Sequence, residues 1–173
     1  MIEIIKRVTI SNTGVSENKS TTETLREIFH NLKIDYPKFF KMDNLSKLGF
    51  LASEILLEGI DNKEDFGIVL CTSSSSLETD MAFQKNIQDT NNFFPSPSVF
   101  VYTLPNIVIG EICIRHKIYG ENMMFIINEN DINDFHHHTK NLIYKTDIKK
   151  GITGYIECFE NRYRAEFMLF KIN

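Results

Sequence analysis

The feature that most constrains the fold is a short apolar run, Phe66-Gly67-Ile68-Val69-Leu70-Cys71, which is followed by a tract of four serines, Ser73–Ser76. An unbroken apolar run of this length is typical of a strand that is buried on both faces of a sheet. Such strands occur where helices cover both sides of the sheet. The serines then provide a turn and a cap for a following helix. The run therefore predicts an α/β protein.

Strand and helix patterns alternate along the rest of the chain. Residues 2–10 alternate in the manner of a strand, and Thr21 or Thr22 is expected to cap the first helix, as Asp43 or Asn44 caps the second. The predicted strands cover 2–10, 65–72, 123–127, 151–158 and 163–170, and the predicted helices cover 21–32, 43–59, 77–89, 105–117 and 131–145. This order predicts a mostly parallel five-stranded sheet with a terminal antiparallel hairpin, covered by helices.

The composition is that of a folded protein with one core. Of the 173 residues, 42% are hydrophobic and 24% are charged, which provides enough apolar material to bury a core. Residues 1–173 show no repeat or boundary, so a single domain is expected. The net charge of -4 argues against nucleic-acid binding. No apolar run approaches the ~20 residues of a membrane helix, and the N-terminus has no signal-peptide pattern.

The cysteines and histidines do not form a convincing metal site. Cys71, Cys113 and Cys158 are widely spaced, so neither disulfides nor a structural zinc site is expected, and a cytoplasmic location is predicted. His136-His137-His138 invites a metal hypothesis, but consecutive helical residues point roughly 100° apart and cannot converge on one ion. A solvated helix face is the preferred interpretation. The sequence predicts no metal and no cofactor.

Several segments, taken in order, resemble those of a known enzyme family. They are Val69–Thr72 with the serines behind it, Ser96–Phe100 followed by Leu104-Pro105-Asn106, Ile112–Tyr119 followed by Gly120, and the glycine-rich strand Gly151–Glu157. In this order they resemble the N-terminal half of the β-ketoacyl synthases of the thiolase superfamily. The resemblance covers nearly the whole chain. It implies a thiolase-like half-fold in which the C-terminal half of a synthase has no counterpart.

The same resemblance implies that the catalytic machinery of the family is incomplete. The nucleophilic cysteine of the family follows the strand after Gly120, and counting along the chain places Glu129 at that position. A carboxylate is a far poorer acyl acceptor than a thiolate. The two catalytic histidines of the family belong to its second half. No catalytic residue is therefore expected to be intact, and the preferred interpretation of Glu129 is that it merely decorates a helix start.

The segment Met123–Ile127 is apolar on both faces, which by itself predicts a central buried strand. The resemblance implies that this strand instead pairs antiparallel with its twin across a dimer axis. Dimerisation would protect an apolar strand edge that otherwise invites aggregation. Met123, Phe125 and Ile127 are therefore the predicted interface residues. Phe100 and Asn106 are further candidate binding or interface residues.

Three functions remain open. The leading hypothesis is a ketosynthase-like accessory protein of fatty-acid or polyketide biosynthesis, including pigment pathways of the aryl-polyene type. Such a protein would not condense by itself, and would act as a homodimer or by pairing with an active synthase, as chain-length-factor-like partners do. The second is an acyltransferase or 3-oxoacyl synthase that a partner subunit completes. The third is a module that binds an acyl chain or an acyl carrier protein. The pathway rests on resemblance alone.

Overall fold

The computed structural model describes residues 2–12, 19–88, 90–91, 93–128, 131, 139–141, 143–144 and 146–173. The strands are β1 (Ile2–Ser11), β2 (Gly67–Thr72), β3 (Asn122–Ile126), β4 (Lys150–Phe159) and β5 (Arg162–Ile172). The helices are α1 (Thr21–Asn31), α2 (Asn44–Leu56), α3 (Leu77–Ile87), α4 (Pro97–Val101) and α5 (Ile107–His116), with a 3-10 turn at Pro37–Lys41. All five predicted strands are present. The helix predicted at 131–145 lies mostly outside the described residues.

The five strands form one sheet in the order β1-β5-β4-β2-β3. The pairs β4–β2 and β2–β3 are parallel, whereas β1–β5 and β5–β4 are antiparallel. The predicted five strands and terminal hairpin are thus confirmed, but the sheet is mixed rather than mostly parallel in its pairing. The reason lies at the turn Glu160-Asn161, where both residues have positive φ, 51° and 62°. This tight turn sends β5 back between β4 and β1, so β1 gains an antiparallel neighbour.

Two helix starts differ from the sequence prediction. Ser20, not Thr21 or Thr22, caps α1, because Glu23 three residues later accepts from the backbone N–H of Ser20 and completes a capping box. The helix expected from Pro105 begins two residues later, at Ile107, after the short α4. At α2 the prediction is confirmed, since the Asp43 carboxylate accepts from the N–H of Ser46 at 2.9 Å.

The main core lies between the sheet and helices α1, α2 and α5. Helix α2 is its centre, and Leu48, Leu51 and Leu56 on that helix are fully buried. Ile68 and Leu70 of β2 point into the same cluster. Because successive strand residues alternate between faces, the neighbours Val69 and Cys71 lie on the other side of the sheet, which is called the second face below.

Strand β1 carries a β-bulge that changes which residues reach the second face. Ile4 and Lys6 stand opposite consecutive residues of β5, which leaves Ile5 as the extra residue. Ile4, before the bulge, packs on the second face. Val8, after the bulge, packs into the main core, so Arg7 now lies on the second face. Within the described ranges, each helix is too short or too polar to cross a lipid bilayer.

Candidate functional site

Strand β3 is one of the two edge strands of the sheet, and β1 is the other. Strand β3 runs parallel to β2, with Asn122 opposite Ile68 and Ile126 opposite Thr72. No strand of the described part of the chain pairs with its other side. The segment predicted from composition alone as a central buried strand is therefore an edge strand.

The backbone of β3 leaves hydrogen-bonding groups pointing away from the sheet. The N–H of Ile127 donates to the carbonyl of Thr72, and the carbonyl of Glu121 accepts from the N–H of Ile68, both at 2.9 Å. Because backbone groups alternate between the two sides of a strand, the odd-numbered residues of this segment turn toward β2. The N–H and C=O groups of Asn122, Met124 and Ile126 therefore turn outward, where another strand can pair with them.

The three predicted interface side chains lie together on the second face. Met123, Phe125 and Ile127 are half-buried, and they pack there against their own sheet. Met124 points to the main core. The most exposed apolar side chain of the strand is that of Ile126, at 61%. The sequence prediction did not single out Ile126, because exposure in an apolar strand depends on which neighbours cover it.

The other predicted site residues lie on different elements. Phe100 belongs to α4, is 52% exposed, and has its ring centroid 5.5 Å from that of Phe83 on α3. Asn106 is the N-cap residue of α5, although its side chain makes no capping hydrogen bond. Extensive contacts of β3 within the described residues are made with β2 alone. Glu129 lies outside the described residues, so its predicted position is untested.

A polar cluster is built at the carboxyl ends of β2 and β4. The Glu157 Oε2 atom accepts from the backbone N–H groups of Ser73 and Ser74, at 2.8 and 3.0 Å. The hydroxyls of Ser73 and Tyr155 also donate to this oxygen, and the Thr72 hydroxyl lies 3.4 Å away. The serine turn after β2 thus acts as a small anion cradle for the carboxylate of the neighbouring strand.

The electrostatics of this cluster favour an ionised carboxylate. Burial alone would raise the pKa of Glu157, but the hydrogen bonds from Ser73 and Ser74 outweigh it and hold the pKa below its ordinary value. The second oxygen, Oε1, is buried and has no hydrogen-bond partner in the described structure. The cluster therefore ties β4 to the turn that begins α3, and it leaves one carboxylate oxygen for a further donor.

Replacing Glu157 by glutamine should lower the free energy of unfolding at neutral pH by about 1.5–3 kcal/mol, because hydrogen bonds to a charged acceptor are lost. The folded-state pKa lies below the ordinary value of 4.5, so this stabilisation is fully present above pH 4.5 and is lost as the pH falls through the folded pKa. Urea unfolding at a series of pH values measures the difference. Glu121→Gln, at an exposed position, is the control and should show little change. A Glu157→Gln effect that does not shrink toward low pH would contradict the assignment.

None of the three cysteines is an activated nucleophile. Burial raises the pKa of the Cys71 thiol to about 12, and burial also raises the pKa values of Cys113 and Cys158. Cys71 lies on β2 beside Tyr155 and Met168 on the second face. These thiols behave as small apolar groups.

His116 and Glu54 line a pocket of about 470 Å³, and the buried Ser53 contacts His116, but the three side chains do not form a catalytic relay. The Nε2 atom of His116 lies 3.1 Å from the Ser53 hydroxyl and 3.3 Å from Glu54. A relay needs one ring nitrogen for the serine and the other for the acid, whereas here both use the same nitrogen. Burial lowers the pKa of His116 to about 4, and Ser53 donates to the carbonyl of Phe50. The group holds α2 and α5 together.

Sequence reasoning identified both halves of the Glu157 cluster without seeing that they meet. The serine turn and the glycine-rich strand ending in Glu157 were recognised as separate motifs. Their contact follows from the parallel pairing of β2 with β4, which spans more than 80 residues of chain. No group of three or more metal-ligating side chains occurs among the described residues, and His136–His138 lie outside them.

The sequence matches no known protein family, but the fold is similar to that of several solved structures. No protein-family model matches the sequence, and no curated protein matches it significantly. Solved structures do match. A chain of the ketosynthase in complex with its chain length factor from Xenorhabdus doucetiae has a TM-score of 0.71 at 14% identity, over 99% of this chain and 79% of that chain. The ishigamide ketosynthase/chain length factor has a TM-score of 0.76 at 16% identity, over 99% of this chain and 62% of that one.

A third match is a type II polyketide synthase acyl-carrier protein in complex with its ketosynthase, with a TM-score of 0.67 at 13% identity. It covers 98% of this chain and 62% of that one. The protein thus has an α/β fold with one mixed sheet. Its fold is that of the ketosynthase and chain length factor structures, and it spans less than two thirds of the second and third matched chains.

Proposed function

We propose that this chain is a ketosynthase-like accessory protein of fatty-acid or polyketide biosynthesis, aryl-polyene-type pigment pathways included. It does not condense acyl groups by itself. It acts by pairing through β3 with an active ketosynthase. The observation that carries the proposal is the open, apolar edge of β3.

The described residues of β3 lack two of the devices that block strand addition at an edge, namely charge and proline. The strand sequence, Asn122-Met123-Met124-Phe125-Ile126, contains no charged residue and no proline. Natural edge strands commonly use such residues to prevent pairing with another chain. Outward backbone groups and the exposed Ile126 side chain together offer both hydrogen bonds and apolar contact. An edge of this kind is stable in solution when a partner strand covers it.

The choice of partner is supported by the comparisons. Two of the matched structures are a ketosynthase with its chain length factor and a ketosynthase/chain length factor pair. The raised pKa values of all three thiols in this chain argue that a second protein supplies the nucleophile. An acyl carrier protein is the second proposed partner, because a further match is a ketosynthase in complex with its carrier protein.

Co-expression with candidate ketosynthases tests the proposal. Light scattering after size exclusion should show a one-to-one complex, whereas the chain alone should run as a species of 20.1 kDa or twice that mass. Acyl and malonyl carrier proteins should give condensation product with the complex and none with the chain alone. Failure to bind any ketosynthase, or turnover by the isolated chain, would contradict the proposal.

A further inference from the structure

A small cavity lies on the second face of the sheet, away from the open edge of β3. Its volume is about 180 Å³. The strand side is formed by Arg7, Met168 and Thr153, which stand opposite one another on β1, β5 and β4. Thr139, Lys140 and Ile143 close the cavity from the other side. The cavity lies at the opposite side of the sheet from the outward backbone groups of β3, and β2 lies between its β4 wall and β3.

The cavity contains a buried hydroxyl that the protein leaves unsatisfied. Thr153 is only 4% exposed, and its Oγ1 atom has no hydrogen-bond partner in the described structure. A buried hydroxyl without a partner is costly, and valine would fill the same volume without that penalty. The hydroxyl therefore points to a ligand that brings a polar group to this position.

An exposed arginine, Arg7, lines the same cavity as this hydroxyl. Arg7 makes no ion pair with any described carboxylate. Its guanidinium Nη1 lies 2.9 Å from the sulfur of Met168, the residue that separates Arg7 from Thr153 in the row across the sheet. The β-bulge at Ile5 is what turns Arg7 onto this face. Arg7 and Thr153 stand on either side of Met168 in this row, so a carboxylate above Met168 would lie between the two donors.

Apart from Thr139 and Lys140, the rest of the described lining is apolar. Ile2 and Ile4 of β1 and Ile143 form its walls. Water is a poor occupant of such walls, because a buried water needs two to four polar partners. The volume of about 180 Å³ is slightly above that of engineered apolar cavities, about 150 Å³, that hold benzene. The space thus suits a tail of about six carbon atoms.

We infer that this cavity binds a short monocarboxylic acid, with its carboxylate on Arg7 and Thr153 and its hydrocarbon tail among the isoleucines. The Arg7 guanidinium favours a free carboxylate, so an uncharged ester or amide of the same length is a weaker ligand. A dicarboxylate such as succinate is a weaker ligand, because its second charge would lie beside the isoleucine side chains. Lys140 at the rim adds to the positive potential that attracts the acid.

Titration with sodium hexanoate at neutral pH, followed by calorimetry and by chemical shifts of the β1 and β4 amides, tests the inference. Hexanoate should bind saturably, and hexanamide and succinate should each bind at least tenfold more weakly. Arg7→Gln should weaken hexanoate about tenfold, whereas Arg162→Gln, an exposed arginine at the far end of β5, should leave binding unchanged.

Thr153→Val separates a binding role from a structural one. It should raise the melting temperature of the free protein, because a buried unsatisfied hydroxyl is removed, while it weakens hexanoate binding. Absence of saturable binding would overturn the inference. Binding that Arg7→Gln and Thr153→Val leave unchanged would overturn it as well. Neither result would affect the pairing proposed for β3.

Discussion

Replacing Gly151 by alanine should destabilise the folded state by about 3 kcal/mol, the upper end of what overpacking usually costs. A Cβ at this position would collide with the carbonyl oxygen of Gly67 and lie 2.8 Å from its carbonyl carbon. The two glycines stand opposite each other where β4 pairs with β2. The obstacle is backbone rather than the end of a flexible side chain. Relief therefore requires that the two strands move apart, which weakens the centre of the sheet.

Gly110 offers a matched control for the same chemical change. It lies within α5, and a Cβ there would meet nothing within 4 Å. Gly110→Ala should therefore stabilise the protein by about 0.5–1 kcal/mol, because alanine loses less backbone entropy in a helix. The urea midpoint should fall for Gly151→Ala and rise for Gly110→Ala. An unchanged midpoint for Gly151→Ala would show that β2 and β4 lie farther apart than in this structure.

The glycines of β4 are visible in the sequence, but the reason for them lies in the packing of neighbouring strands. The strand Gly151–Glu157 was predicted from its pattern, and its glycines were recognised as a motif by resemblance. Their physical reason is the approach of other backbones. Gly154 meets the carbonyl oxygen of Glu166 on β5 as Gly151 meets that of Gly67 on β2. The hydrophobic periodicity of β4 does not specify which strands lie on either side of it, because those strands are distant in sequence.

The predictions that the structure confirms rest on residues that are adjacent in sequence. The β4–β5 hairpin was predicted because its polar turn and flanking apolar residues are adjacent in sequence. The position of β1 in the sheet was not predicted, because β1 pairs with β5 at the other end of the chain. The doublet Ile4-Ile5 does break the alternation of β1, and it is the one local sign of the bulge that brings Arg7 to the second face.

In the candidate site too, some features could be predicted from the local sequence and others depend on the neighbouring strand. Apolarity on both faces singled out residues 123–127, and the structure places them on one strand. Edge position, outward backbone groups and the exposure of Ile126 all depend on which strand lies next to β3. The role predicted for Glu129 stays a prediction. The roles of Phe100 and Asn106 do too, since these residues lie on α4 and at the start of α5.

Proline at position 126 should abolish pairing through β3 while leaving the chain folded. The N–H of Ile126 turns outward, so its removal breaks no bond to β2, and proline is tolerated at an edge strand with this geometry. A partner strand would lose a backbone donor and meet the proline ring. Affinity for the ketosynthase, or for a second copy of the chain, should fall at least tenfold, about 1.4 kcal/mol or more. Light scattering and circular dichroism measure mass and fold together.

Phe125→Pro is the matched variant one residue away. It should unfold the chain rather than only prevent pairing. The N–H of Phe125 turns toward β2, so proline there removes a ladder bond and also a side chain that packs beside Cys71 and Val69. Charged residues at Phe125 or Ile127 would disturb the same internal packing. A substitution at Ile126 therefore tests pairing more directly. We expect Phe125→Pro to lose its fold, and we expect Ile126→Pro to keep its fold and lose only its partner. A soluble complex of unchanged affinity with Ile126→Pro would show that β3 is not the pairing strand.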